Sequence, residues 1–216
     1  ALEVLLGECT ARDAVVPISS AGMDLLPANQ DLTAAEVQLL VMPAGRERRL
    51  RDALASVRDQ YDVIFIDCPP SLNILTVSAL IAADSVLIPM QCECYALEGL
   101  SSLVSTLEQI RGSANPSLEI EGVLRTMFDP RNNLANEVSS QLLSHFGEKV
   151  FRTVVPRNVR LAEAPSFGRP ALVHDKDSRG ALAYLALAGE MLRRADQPPA
   201  GIDPSMSHEN ESFCHE

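Results

Sequence analysis

The chain has 216 residues, 46% hydrophobic and 22% charged, with a net charge of −11. That is enough for one α/β domain with a sizeable core, and no apolar run reaches the roughly 18 residues of a membrane-spanning helix. An acidic balance argues against a nucleic-acid partner, yet residues 125–180 hold nine basic against six acidic residues, a local charge of +3.

The chain starts without Met, basic n-region or cleavage site, so the start is not a secretory signal. The expectation is a start part-way through a longer protein. Ala1 to Gly7 has helical spacing and a Gly stop, and Met23 to Pro27 reads as a short strand. Asp31 is placed to cap a helix from Leu32 to Leu40. Arg46 to Asp59 reads as one charged helix with Leu50, Ala53, Leu54 and Val57 on its apolar face.

Tyr61 to Leu72, YDVIFIDCPPSL, carries the first sign of chemistry. Val63 to Ile66 has the apolar, β-branched character of a strand buried on both faces of a parallel sheet. It ends at Asp67, before Pro69-Pro70. A carboxylate there lies where open α/β sheets bind ligands. Nucleotide hydrolases use such an Asp for phosphate-bound Mg²⁺, the Walker B role. Capping of the next helix is the equally available alternative.

Asn73 to Ala83 is apolar all round and predicts a buried helix. Ser85 to Pro89 predicts a second strand, followed by Gln91 and Glu93, and Tyr95 to Arg111 a long helix stopped by Gly112. Leu118 to Phe128 is a third strand and Asn132 to Phe146 a helix with Leu134, Val138, Leu142 and Leu143 inward. Val150 to Val155 is a fourth strand, ending at Pro156. A loop-rich stretch leads to a last helix, Arg179 to Arg194, with Tyr184, Leu185, Ala188 and Met191 inward. Residues 1–194 form the expected domain, and 195–216, with five acids and no Lys or Arg, an expected disordered tail.

Alternating strands and helices predict a doubly wound, mostly parallel sheet with helices on both faces, a three-layer α/β sandwich. Asp67, Gln91, Asp129 and Pro156 fall at the C-terminal strand ends and are expected on one rim. A phosphate-binding loop needs glycines and a Lys. The only lysines, Lys149 and Lys176, follow Glu148 and Asp175, so the chain has no Walker A motif, and it has no GxGxxG either. Five scattered cysteines read as reduced thiols, not as a disulfide or zinc framework.

Several stretches in register resemble the ParA/Soj-type partition ATPases, a branch of the deviant Walker A class that also holds MinD. They include DLLPANQDLTAAEVQLL, YDVIFIDCPPSLNILTVSAL, ADSVLIPMQCECYALEGLSSL, LEIEGVLRTMFDPRNNL, VFRTVVPRNVRLAEAPSFGRP and DSRGALAYLALAGEML, from about Val4 to Leu192. The resemblance implies a P-loop-type fold lacking here its first strand and P-loop, which in this class lie upstream of the matched part. It implies a cytoplasmic, nucleoid-associated bacterial ATPase that forms a homodimer on ATP and Mg²⁺ and binds non-specific DNA. A ParB-like centromere-binding protein would be its partner, and chromosome or plasmid segregation its task. Carried over by residue, Asp67 is the catalytic and Mg²⁺-ordering acid, acting through water. Met127, Pro156, Arg157 and Asn158 are the adenine side of the pocket. Arg131 and Arg179 contact DNA phosphates, although each could instead pair with a neighbouring carboxylate.

Without a Walker A motif the chain alone is expected not to hydrolyse ATP or bind it tightly. A non-catalytic dimerisation or DNA-binding module is the alternative. A MinD-like positioning ATPase ranks lower, because the acidic, Pro-containing tail cannot act as a basic membrane helix. In this class the Walker A strand lies between the Asp67 and Val86 strands, so a chain without it should be poorly soluble or should not unfold cooperatively.

Overall fold

In the computed structural model, which describes residues 1–196 apart from Ser20 and Pro43, the N-terminal third is a set of short elements. They are helix α1 (Leu2–Leu6), helix α2 (Ala11–Ala14), the antiparallel pair β1 (Val16–Ile18) and β2 (Met23–Leu25), helix α3 (Leu32–Val41) and helix α4 (Arg49–Ala55). Val4, Ala11 and Val57 form their small core. α1 ends at Gly7 in the left-handed conformation, as its sequence predicts. Asp31 flanks α3 but its side chain caps nothing; it accepts instead from Asn29 Nδ2 at 2.7 Å. The helix expected over Arg46–Asp59 is broken into α4 and two single 3₁₀ turns. The Ser56 hydroxyl donates back to the Ala53 carbonyl at 2.9 Å, and Arg12 and Gln60 donate to the Ser56 carbonyl, which takes up acceptors the helix would need.

Val63 to Ile66 is not a buried strand. The segment pairs with no strand among the described residues, and Val63 and Phe65 are 59% and 76% exposed. A parallel strand is held by neighbours that take its N–H and C=O groups. None lies beside this one, so its apolar side chains stay in solvent.

Beyond it the predicted order of elements is found. Helix α5 (Ile74–Ala82) starts where Asn73 accepts from the Thr76 N–H and buries Ala79, Leu80 and Ile81. Strand β3 (Ser85–Gln91), helix α6 (Ala96–Ser113), strand β4 (Glu119–Phe128), helix α7 (Asn133–Phe146) and strand β5 (Val150–Pro156) follow. The three strands pair in parallel in the order β3-β4-β5. α6 runs through Gly112 to Ser113, and the buried Asn115 beyond it donates to the Leu80 and Ala83 carbonyls at the end of α5.

Alternation along the strands feeds two layers. Ile88, Met90 and Val123 join α5, α6 and α7 in the main core. Leu87, Leu124, Phe151 and Val155 face the other side, where helix α8 (Val159–Glu163), helix α9 (Ala171–His174) and helix α10 (Arg179–Ala195) follow, with Leu187 of α10 packed on the sheet. The chain is therefore an α/β sandwich with helices on both faces of a parallel sheet.

Two helix faces differ from expectation. On α7 the buried row is Ala135, Val138, Ser139 and Leu142, while Leu134 and Leu143 are exposed. On α10 it includes Gly180, Ala181, Leu187 and Glu190, while Tyr184, Leu185 and Ala188 face solvent. Both rows carry polar residues with buried partners. Ser139 accepts from Arg125 Nη1 at 2.9 Å, and Glu190 accepts from β5. The tail beyond Asp196 lies outside the described residues. No helix among the described residues is long and apolar enough to cross a membrane.

Candidate functional site

The C-terminal ends of β3, β4 and β5 open onto one pocket of about 280 Å³. Gln91 and Glu93 come from the end of β3, Met127 and Asp129 from the end of β4, Asn132 from the start of α7, and Arg157 from just past β5. This is the edge where parallel α/β sheets place ligands. A smaller cleft of about 40 Å³ lies at the opposite, N-terminal end of β4 against α6.

Backbone strain marks the rim. Met127 has φ 51 and Tyr95, in the loop after β3, has φ 66, although neither is Gly. Left-handed backbone at such residues costs on the order of 1–3 kcal/mol and collects at functional sites. Of the four residues expected on the adenine side, Met127 and Arg157 line the pocket together. Pro156 ends β5, and the Asn158 side chain caps α8 by accepting from the Arg160 N–H at 2.9 Å; neither lines the pocket. Asn132 was legible only as a helix start. Its side-chain oxygen is engaged with the N–H groups of Leu134 and Ala135.

Asp129 joins the pocket to the basic surface. Its carboxylate accepts from Arg131 Nε at 3.0 Å, Arg131 Nη2 at 2.7 Å and the Arg131 backbone N–H at 3.0 Å. The Arg131 side chain holds the Asp129 carboxyl at about 2, helped by the backbone N–H and the Arg157 charge. The Arg131 guanidinium is 88% exposed.

Arg179 is at the first turn of α10, behind the Ser178 cap, exposed and without an ion pair among the described residues. Asp175, the alternative partner, is taken by Arg160 at 3.4 Å, and Arg160 also donates to Glu163 at 2.8 Å. A cation at a helix N-terminus opposes the helix dipole, so local stability does not explain Arg179. Gly180 fixes its place, because a Cβ there would lie 2.4 Å from Leu161 Cγ of α8. Arg152, Arg157, Arg169 and Lys176 are also exposed.

Asp67 ends the unpaired stretch, is exposed, and makes no hydrogen bond or ion pair among the described residues; it does not line the pocket. No cluster of three or more metal-ligating side chains occurs among the described residues. Cys9, Cys68, Cys92 and Cys94 are free thiols. Burial pushes the Cys68 thiol up, and the Asp67 charge adds to it.

A family model described as an AAA domain matches residues 1–120. The chain is 50% identical over 194 residues to the chromosome partitioning protein ParA of Caulobacter vibrioides, covering 89% of this chain and 72% of that one. It is 48% identical over 189 residues to the sporulation initiation inhibitor protein Soj of Bacillus subtilis, covering 88% and 74%. Among solved structures it matches cobyrinic acid a,c-diamide synthase of Mycobacterium smegmatis with bound ATP analog and magnesium at 36% identity and a TM-score of 0.75, over 90% of this chain and 72% of that one. The cell division ATPase MinD of Pyrococcus furiosus shares the fold, at 23% identity, with a TM-score of 0.71 over 89% and 75%. Identity near one half over nearly nine-tenths of the chain places it in the ParA/Soj family of chromosome-partitioning ATPases.

Proposed function

We propose that this chain is the greater part of a DNA-partitioning ATPase, in which ATP and Mg²⁺ are held at the strand-end rim and duplex DNA at the neighbouring arginines. The observation that carries the DNA half is the exposed Arg179, without an ion pair among the described residues, at a helix start where a cation is locally unfavourable. Arg131 lies next to the pocket residue Asp129 with its guanidinium in solvent. Such groups bind phosphate without reading sequence.

For the nucleotide, Met127 with Pro156, Arg157 and Asn158 would form the adenine side. Asp67 fits a hydrated Mg²⁺, because its carboxylate is exposed and carries no partner among the described residues. Mg²⁺ in such sites keeps several waters and takes only one or two carboxylates plus the substrate phosphates. When bound it would neutralise phosphate charge. A phosphate-cradling loop has to come from outside these 216 residues, because they contain no Gly-Lys pair. In this family the active form is a cytoplasmic, nucleoid-associated homodimer that works with a ParB-like centromere-binding protein, and we extend both to this chain.

Fluorescence anisotropy with a random-sequence duplex tests the DNA half. Binding should weaken steeply with salt, and R179A and R131A should each lower the log–log salt slope by about 0.9. Binding with slopes that neither variant changes would refute it.

A further inference from the structure

We propose that the outward face of α10 pairs with the same face of a second copy of this chain, antiparallel, with each Leu185 seated over Gly189 of the other copy. α10 is apolar on two opposite sides. One side holds the chain together: Leu187 packs on the sheet and Glu190 bonds to β5. The other carries Leu182, Leu185 and Leu192, which are 50%, 56% and 66% exposed. With Gly189 they stand at i, i+3, i+7 and i+10, the spacing of the seam in a helix pair. Single exposed leucines are ordinary, but a row of three in seam spacing is the pattern of a contact face. Gly189 is the hole in that row. A Cβ built there would meet only the tip of the Arg193 side chain, at 3.4 Å, so the space above it is open. The row is self-complementary about a two-fold axis between Leu185 and Gly189. Run antiparallel, Leu182 meets Leu192 of the second copy and Leu185 meets its Gly189. Large then faces small at the centre, and the axes can approach to the short end of the ~8–10 Å range. Asp196 comes beside Arg179 of the second copy, which sets opposite charges together at both ends. A parallel pair would instead set Leu185 on Leu185, Arg179 on Arg179 and Arg193 on Arg193, a clash at the centre and repulsion at the ends. None of these residues lines the strand-end pocket, and the pairing needs neither nucleotide nor DNA.

One helix pair buries less than the roughly 1,200 Å² of a stable complex, so the contact is weak in dilute solution and gains when copies are held side by side. Register-specific cross-linking tests it in the full 216-residue chain, with V63K and F65K added so that the exposed Val63 and Phe65 do not drive association. A concentrated mixture of L182C and L192C chains under mild oxidation should give the disulfide between positions 182 and 192, mapped by peptide mass spectrometry. In this register like positions lie about 15 Å apart along the axis, beyond disulfide reach, so 182–182 and 192–192 bridges should stay at background. G189L, built into both chains, fills the hole and should lower the 182–192 yield about tenfold without lowering the urea midpoint, because the single chain has open space there. G189A, which suits a helix better than Gly, should lower the yield in the same direction. A 182–182 bridge as strong as the 182–192 bridge shows association without this register and overturns the inference, as does the absence of any bridge. A yield that neither Gly189 variant changes overturns it too. L182C shielded from a maleimide in dilute solution shows the face covered within one copy, and that also overturns it.

Discussion

Glu190 on α10 takes up the backbone donors of an irregular stretch of β5 at Thr153. Its carboxylate accepts from the Thr153 N–H at 2.8 Å, the Thr153 hydroxyl at 2.7 Å and the Arg152 N–H at 2.8 Å. Arg194, one turn later, donates to it at 3.0 Å and stacks over the Phe151 ring at 4.1 Å. The pairing of β5 with β4 shifts register between Val150 and Val154, so the N–H groups of Arg152 and Thr153 need acceptors outside the ladder. A buried carboxylate satisfies both.

E190Q should therefore destabilise the chain by about 1–3 kcal/mol, because one amide oxygen replaces two carboxylate acceptors and an NH₂ faces donors. Urea unfolding measures this.

The same carboxylate sets an acid limb. Burial pushes Glu190 up, but the hydrogen bonds from Thr153, Arg152 and Arg194 outweigh it and hold the carboxyl at about 2, below the ordinary 4.5. A depressed pKa gives stability that is fully present above about 4.5 and is lost as pH falls from there toward 2. Unfolding free energy against pH should fall over that window, and E190Q should flatten the fall.

Gly122 in β4 is fixed by close approach. A Cβ there would lie 2.6 Å from the Lys149 backbone carbonyl oxygen and 2.7 Å from the Phe151 ring. G122A should cost about 1–3 kcal/mol in unfolding experiments. Trimming Phe151 should not restore the loss, since the carbonyl oxygen stays.

The unpaired stretch predicts behaviour in solution. Val63 and Phe65 expose their side chains on a segment with no strand partner among the described residues, so a sizeable fraction of the chain expressed alone should aggregate. V63K/F65K should raise the soluble fraction after centrifugation while changing stability by no more than about 0.5 kcal/mol.

The parallel sheet was legible because β3, β4 and β5 are short runs rich in apolar and β-branched residues that alternate with helical stretches. The inward faces of α7 and α10 were not. Ser139 and Glu190 are polar residues buried by partners far away in sequence, Arg125 and Thr153, which no periodicity reveals. Val63 to Ile66 has a strand's composition, but composition does not supply the neighbours a strand needs. In the site, Met127 and Arg157 line one pocket because the strand ends share one rim. The grip of Asp129 on Arg131 was visible as one of two alternatives, and three hydrogen bonds decide where the arginine rests.

The most direct test joins the phosphate loop to this chain. A chimera would carry the N-terminal part of the Caulobacter vibrioides ParA, of which this chain spans 72%, followed by residues 1–216. DNA affinity is then measured with and without Mg²⁺-ATP across a salt series. The account predicts that Mg²⁺-ATP raises affinity, that D67N removes the rise, and that R179A lowers the salt slope. DNA affinity indifferent to nucleotide, or a rise that survives both D67N and R179A, would contradict it.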